Sequence, residues 1–252
     1  MAREQQSLTQ AAYETLRSDL LTCRLQPGTR LKTKELCERT GASQGAVREA
    51  LPRLSSEGFI VVEPQRGFSV APISAADLTH LTDFRCDMEA MCLRRSIELG
   101  DVAWESALVA AYHQVSHTPE RDPNDPERLS ESFSVVHRNY HEALVAACDN
   151  PWLLRVRSML FAQSERYRLL SLPLSKAQRN VDHVHRSVMD AALARDADRA
   201  VLLIKEHLRA TTQILLSALE KTLPLQEPPA RKRRTIRSAA TVTSEDSSRA
   251  AS

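Results

Sequence analysis

Residues 33 to 70 carry two short amphipathic helical patterns, split by Thr40-Gly41-Ala42 and followed directly by two β-rich runs, and few folds accept that order. Gly41 suits the tight bend, Thr33 stands ready to cap a first helix running through Glu38, and Ser43 to cap a second. In the second helix Val47, Ala50, Leu51 and Leu54 fall at i, i+3, i+4 and i+7, one inward stripe that leaves Ser43, Gln44 and Arg48 facing out. Phe59-Ile60-Val61-Val62 and Gly67-Phe68-Ser69-Val70 read as strands around Glu63-Pro64-Gln65-Arg66, a hairpin with Arg66 beside Gly67 at its tip. Upstream, Ala12, Leu16, Leu20 and Cys23 predict a further helix, capped by Thr9 and ended by Pro27-Gly28. Together these predict a winged helix-turn-helix over 8–72. Pro52 conflicts with it: a proline inside a helix costs about 3 kcal/mol, so a kink is expected after Leu51.

The rest of the chain is of another kind. Glycine and proline thin out after Ala71-Pro72-Ile73-Ser74, and helices are predicted over 74–99, 101–116, 126–147, 151–170, 175–194 and 197–223, an antiparallel all-helical bundle. Beyond Leu223 a segment rich in Pro, Arg, Ser, Thr and Ala is too poor in apolar side chains to offset its ordering entropy, so 224–252 is expected to be a disordered basic tail. The fold expectation is mainly α: 8–72, 73–223 and the tail. Charge is uninformative about partners. The net charge is +2, and without the tail 28 basic residues face 29 acidic ones. No apolar run approaches the ~18 residues of a membrane span, and MAREQQSLTQ lacks the apolar core of a signal peptide, so no membrane association and a cytoplasmic location are expected. Five scattered cysteines without a C-x-x-C pair fit free thiols there.

The motifs LQPGTRL, KELCERTGAS, VREALPRLSSEGFI and RGFSV, in this order and spacing, resemble the DNA-binding domain of the GntR family of bacterial regulators over about 65 residues. The resemblance implies that Lys34, Ser43, Gln44 and Arg48 face the major groove or its phosphates, and that Arg66 and Gly67 carry the wing into the minor groove. An arginine at position 48 can donate two parallel hydrogen bonds to guanine, and glycine at 67 lets backbone approach closely. Gln44, where relatives often carry arginine, and Gly45, where they often carry a hydroxyl residue or proline, depart from the pattern.

Histidine marks the second unit. His137 and His141 stand at i, i+4, so both imidazoles can face one point, but His113 and His117 share that spacing, which by itself proves little. YHEALVAACDNPWL, HRSVMDAALARDADRA and KEHL resemble the FCD ligand-binding domain of the FadR branch of the GntR family, over about 78–220. That family holds a divalent metal with an aspartate, a histidine four residues later and two further histidines. The resemblance places the histidines at His141, His185 and His207, with His137 where the aspartate stands. Four imidazoles suit zinc, with nickel as an alternative, because the hard oxygen donor is gone. His183 is expected on the surface. Arg85, with Glu89, matches the family's R-x-x-x-E element, to contact an anionic effector or to pair with Glu89 inside the bundle. Arg166, Tyr167 and Arg168 are ranked behind it.

The implied function is a homodimeric repressor of double-stranded operator DNA, controlled by a small organic acid at the metal, and not an enzyme. A metalloregulator sensing the metal itself is the alternative. A metal-dependent hydrolase needs a base such as the glutamate of H-E-x-x-H, and His141-Glu142 lacks the second half of that motif.

Overall fold

A computed structural model describes residues 2–171 and 181–222. The first unit opens with α1 (Ala2–Leu21), then β1 (Arg30–Leu31), α2 (Thr33–Thr40), α3 (Gln44–Ser56), β2 (Ile60–Glu63) and β3 (Gly67–Val70). Leu16, Leu20, Leu36, Val47, Leu51, Leu54 and Phe59 form its core, so the predicted stripe of α3 does face inward. Gly41 ends α2 at φ +66°, a left-handed bend that glycine adopts freely. Ser43 Oγ accepts from the Ala46 amide at 3.3 Å.

Several boundaries differ from expectation. α1 begins well before Thr9, which is buried inside it with its hydroxyl 3.3 Å from Glu49 Oε2; no breaker precedes it to stop the helix. Thr33 is the first residue of α2 and not its cap; that position falls to Lys32, which makes no side-chain cap bond. α3 runs through Pro52 to Ser56. Pro52 and Arg48 both lie on the exposed side, where water can serve the Arg48 carbonyl that proline cannot. β1, too short to show in the sequence, extends the wing into a sheet of order β1-β3-β2, with Arg30 opposite Ser69 and Glu63 opposite Gly67.

The second unit contains α4 (Ala75–Leu99), α5 (Val102–Ser116), α6 (Glu131–Leu144), α7 (Pro151–Ser171), α8 (Val181–Leu193) and α9 (Ala197–Thr222). Ser74 caps α4 and Asp101 caps α5. Where helix was expected from 126, a hairpin of β4 (Arg121–Asp122) and β5 (Asp125–Leu129) stands instead, and α6 starts only at the cap of Ser130 on the Phe133 amide. Prolines at 123 and 126 lack the amide a helix needs, whereas a two-stranded hairpin tolerates them at its edge. The expected start at Ser175 and the tail 224–252 lie outside the described residues.

α7 joins the two units. Gln163 Nε2 donates to the Glu57 carbonyl at 2.6 Å, Arg166 donates to the carbonyl of Ala71, and Cys23 Sγ lies 3.8 Å from the Arg166 carbonyl. Gly58 follows α3 at φ +80°, and a side chain there would press within 3.2 Å of Gln163.

Candidate metal centre and nucleic-acid face

α6, α8 and α9 each turn an interior face to one point. His137 and His141 come from successive turns of α6, His185 from α8 and His207 from α9, and one ring nitrogen of each lies within 4.8 Å of the others. Ring centroids are 4.6 Å apart for His137 and His141, 5.4 Å for His141 and His185, and 5.0 Å for His185 and His207. Phe133 stacks on His137, and Tyr140 donates to the His185 carbonyl at 2.6 Å, fixing α8 against α6. By contrast His113, His117 and His183 are exposed, and His117 Nδ1 turns back to the His113 carbonyl at 2.9 Å.

The surroundings disfavour a proton on His137 and His141. Burial, then the nearby Arg168 guanidinium, holds His137 well below the ordinary histidine range; burial, then His137 itself, does the same for His141. His141 is 1% exposed, and neither of its ring nitrogens has a hydrogen-bond partner; His137 Nδ1 also lacks one. Buried polar atoms are rarely left so, because each forfeits its hydration without replacement. A divalent cation among the four rings would engage the lone pair of one nitrogen on each, so the donor set fits a borderline metal with nitrogen ligands.

Around the rings lies a buried charge network that the sequence reading had not assembled. Arg85 Nε and Nη2 both reach Glu89 Oε1 at 3.4 Å, and Arg157 Nε takes Glu89 Oε2 at 3.0 Å. Arg157 also donates to the His141 carbonyl at 2.8 Å. Glu165 is gripped by Arg168 at 2.8 and 2.9 Å and stands 3.9 Å from His137 Nδ1, too far for a hydrogen bond. Arg85 therefore forms the ion pair that was its alternative reading. Arg168, ranked behind it, is 4% exposed and keeps Nη1 without a partner. Arg85, Arg168, His137, His141 and His207 share one cavity of about 30 Å³. Arg166 faces the other way, to the winged unit, while Tyr167 donates to Asp77 in the first turn of α4 at 2.6 Å.

On the winged unit, Arg48 from α3 and Arg66 with Gly67 from the wing line one hollow, joined by Arg30 and Lys32 from the β1 region. The sequence reading missed Arg30 and Lys32, because β1 is two residues long and only its pairing with β3 brings them there. Lys34, Ser43 and Gln44 are exposed on α2 and at the start of α3, outside that hollow, and the Ser43 hydroxyl is occupied as a cap.

The model of the bacterial regulatory proteins, gntR family, matches residues 8–70, and that of the FCD domain residues 80–210. The uncharacterized HTH-type transcriptional regulator BphR of Paraburkholderia xenovorans is 38% identical over 209 residues, 83% of this chain and 85% of that one. The HTH-type transcriptional repressor GlaR of Escherichia coli is 32% identical over 211 residues, 82% of this chain and 95% of the relative. Among solved structures, E. coli McbR/YncC superposes with a TM-score of 0.69 at 23% identity, over 83% of this chain and 97% of that one, a likeness of fold. Among the described residues no helix is long and apolar enough to cross a membrane.

Proposed function

Since the chain belongs to the gntR family of bacterial regulatory proteins and carries an FCD domain, it is a DNA-binding transcription regulator, and we propose that it is a repressor governed by a small carboxylic acid bound beside a divalent metal. Zinc is the proposed ion and nickel the alternative. On this reading 8–72 binds the operator, 73–223 binds effector and pairs two copies, and 224–252 is a basic tail. The observation that carries it is the convergence of buried His137, His141 and His185 with half-buried His207, with both nitrogens of His141 unpartnered.

When bound, the cation supplies a coordination position that a carboxylate oxygen can fill. Arg168 Nη1 is a buried donor left over for a second acceptor of the same acid, and Arg85, whose Nη1 is not used on Glu89, lines the same cavity, with Arg157 holding Glu89 behind it. The cavity of about 30 Å³ is narrow, so on this reading an acid that enters it shifts the surrounding walls. One wall is α7, whose other face holds the winged unit through Gln163 and Arg166. An acid thus changes operator affinity only as far as it binds one placement of that helix better than the other. On the DNA side Arg48, Arg66 and Gly67 lead the contact, with Lys34, Ser43 and Gln44 beside them.

The test is operator binding by metal-loaded and metal-free protein across a panel of mono- and dicarboxylates. Release by an acid only in the metal-loaded form supports the reading; release by metal alone makes the chain a metalloregulator, and turnover of an acid defeats it. Arg48→Ala should cost specific binding about 1–3 kcal/mol at one base position, seen as relaxed sequence preference.

A further inference from the structure

His207 is the half-buried member of the imidazole cluster, whereas His137, His141 and His185 are buried. Its side chain borders two spaces. On one side lies the narrow cavity shared with Arg85 and Arg168, and on the other a hollow of about 400 Å³ between α8 and α9. Thr211, one turn further along α9, lines both as well, so a single layer of side chains separates the imidazoles from the outer hollow. The hollows on the winged unit, along α5 and at the junction of the two units share no lining residue with the imidazole cavity among the described residues.

The outer hollow is walled by Val184 from α8 and by Leu203, Ala210 and Ile214 from α9. With His207, the α9 residues follow one another at spacings of 4, 3 and 4, one face of the helix. Arg199 and Glu206, both exposed, add one charge of each sign, which leaves no net charge to attract a second carboxylate. We infer that the effector is a monocarboxylic acid with an apolar tail, and that the α8/α9 hollow holds this tail. The inference rests on the metal-bound acid proposed above. The carboxylate reaches the imidazoles past His207 and Thr211, and the tail stays outside against Val184, Leu203 and Ile214. A hollow of about 400 Å³ falls in the ~300–1,000 Å³ range of small-molecule sites, whereas the inner cavity is about 30 Å³.

Titration calorimetry on the zinc-loaded full chain with acetate, butyrate, hexanoate and adipate tests this. Affinity should climb about 3-fold per methylene, a little under the ~4-fold of full burial, and so about 100-fold from acetate to hexanoate. Adipate has the carbon count of hexanoate with a second charge, and should bind about 10-fold more weakly or worse. Ala210→Trp fills the hollow from an exposed position, so hexanoate should lose its advantage while acetate binding and zinc content are unchanged. Leu202→Trp, at a 48% exposed site of α9 outside the hollow, should keep the wild-type series. A chain that takes up no zinc, or binds none of the four acids, defeats the metal-bound effector itself and this inference with it. If acetate binds and hexanoate gains nothing over it, or adipate matches hexanoate, or the gain survives in Ala210→Trp, the metal-bound acid stands and the apolar tail is overturned; the first two outcomes need no variant.

Discussion

Two histidine pairs with the same i, i+4 spacing have opposite fates in this molecule. His113 and His117 close α5 and lie in solvent, and the His117 ring bonds back to the His113 carbonyl. His137 sits mid-way on α6 and His141 in its last turn, both buried, facing His185 and His207. Spacing brings two rings together on either helix; only the second pair meets two other elements that each bring a further imidazole. The lesson is that a ligand set is a property of converging helices, and a helix face alone supplies at most half of one.

That contrast can be broken by substitution. His141→Ala should reduce bound zinc, measured by elemental analysis after dialysis, by more than the ~10–100-fold in affinity that loss of an outer partner costs. An unchanged metal content would place the site elsewhere. Glu165→Gln should have a smaller effect, about 10-fold weaker metal binding, since Glu165 anchors Arg168 and borders His137 without touching it by hydrogen bond. His113→Ala with His117→Ala should leave metal content at wild-type level; a drop would erase the distinction between the pairs.

Acid should sharpen the same comparison. In the metal-free protein His137 and His141 are held below the ordinary histidine range, so the unfolded chain takes up protons as pH falls through about 6.5 while the folded chain does not. Their contribution is therefore fully present above that pH and lost below it, by about 1.4 kcal/mol per pH unit for each ring until the folded state also protonates. Melting temperatures at pH 7.5 and 5.5 should diverge for metal-free wild type. The divergence should persist in the His113→Ala/His117→Ala variant and shrink in His137→Gln.

Local signals were the legible ones. The Ser43 cap, the Gly41 bend and the inward stripe of α3 depend on neighbours within a few residues, and all are found as read. The i, i+4 pair on α6 is visible for the same reason, and the resemblance to a known family adds His185 and His207 to it. Boundaries decided by weak preferences were misread: α1 starts before Thr9, and β4–β5 replaces the first turns expected of α6. Arg85 and Arg168 could not be ranked from the chain, because which guanidinium is spent depends on where Glu89 and Glu165 arrive.

By itself, then, the sequence determined a winged helix-turn-helix followed by a helical bundle, since periodicity, caps and ordered motifs act over short separations, while the family resemblance pointed to the four histidines. Tertiary structure alone decided that Arg30 and Lys32 join Arg48 at the wing, that Arg168 is buried beside the imidazoles with Nη1 unpartnered, and that α7 touches both the imidazole cluster and the winged unit. Each of these is a contact between residues distant in the chain, and the energy that selects such contacts, burial with paired charges, exists only once the helices have met.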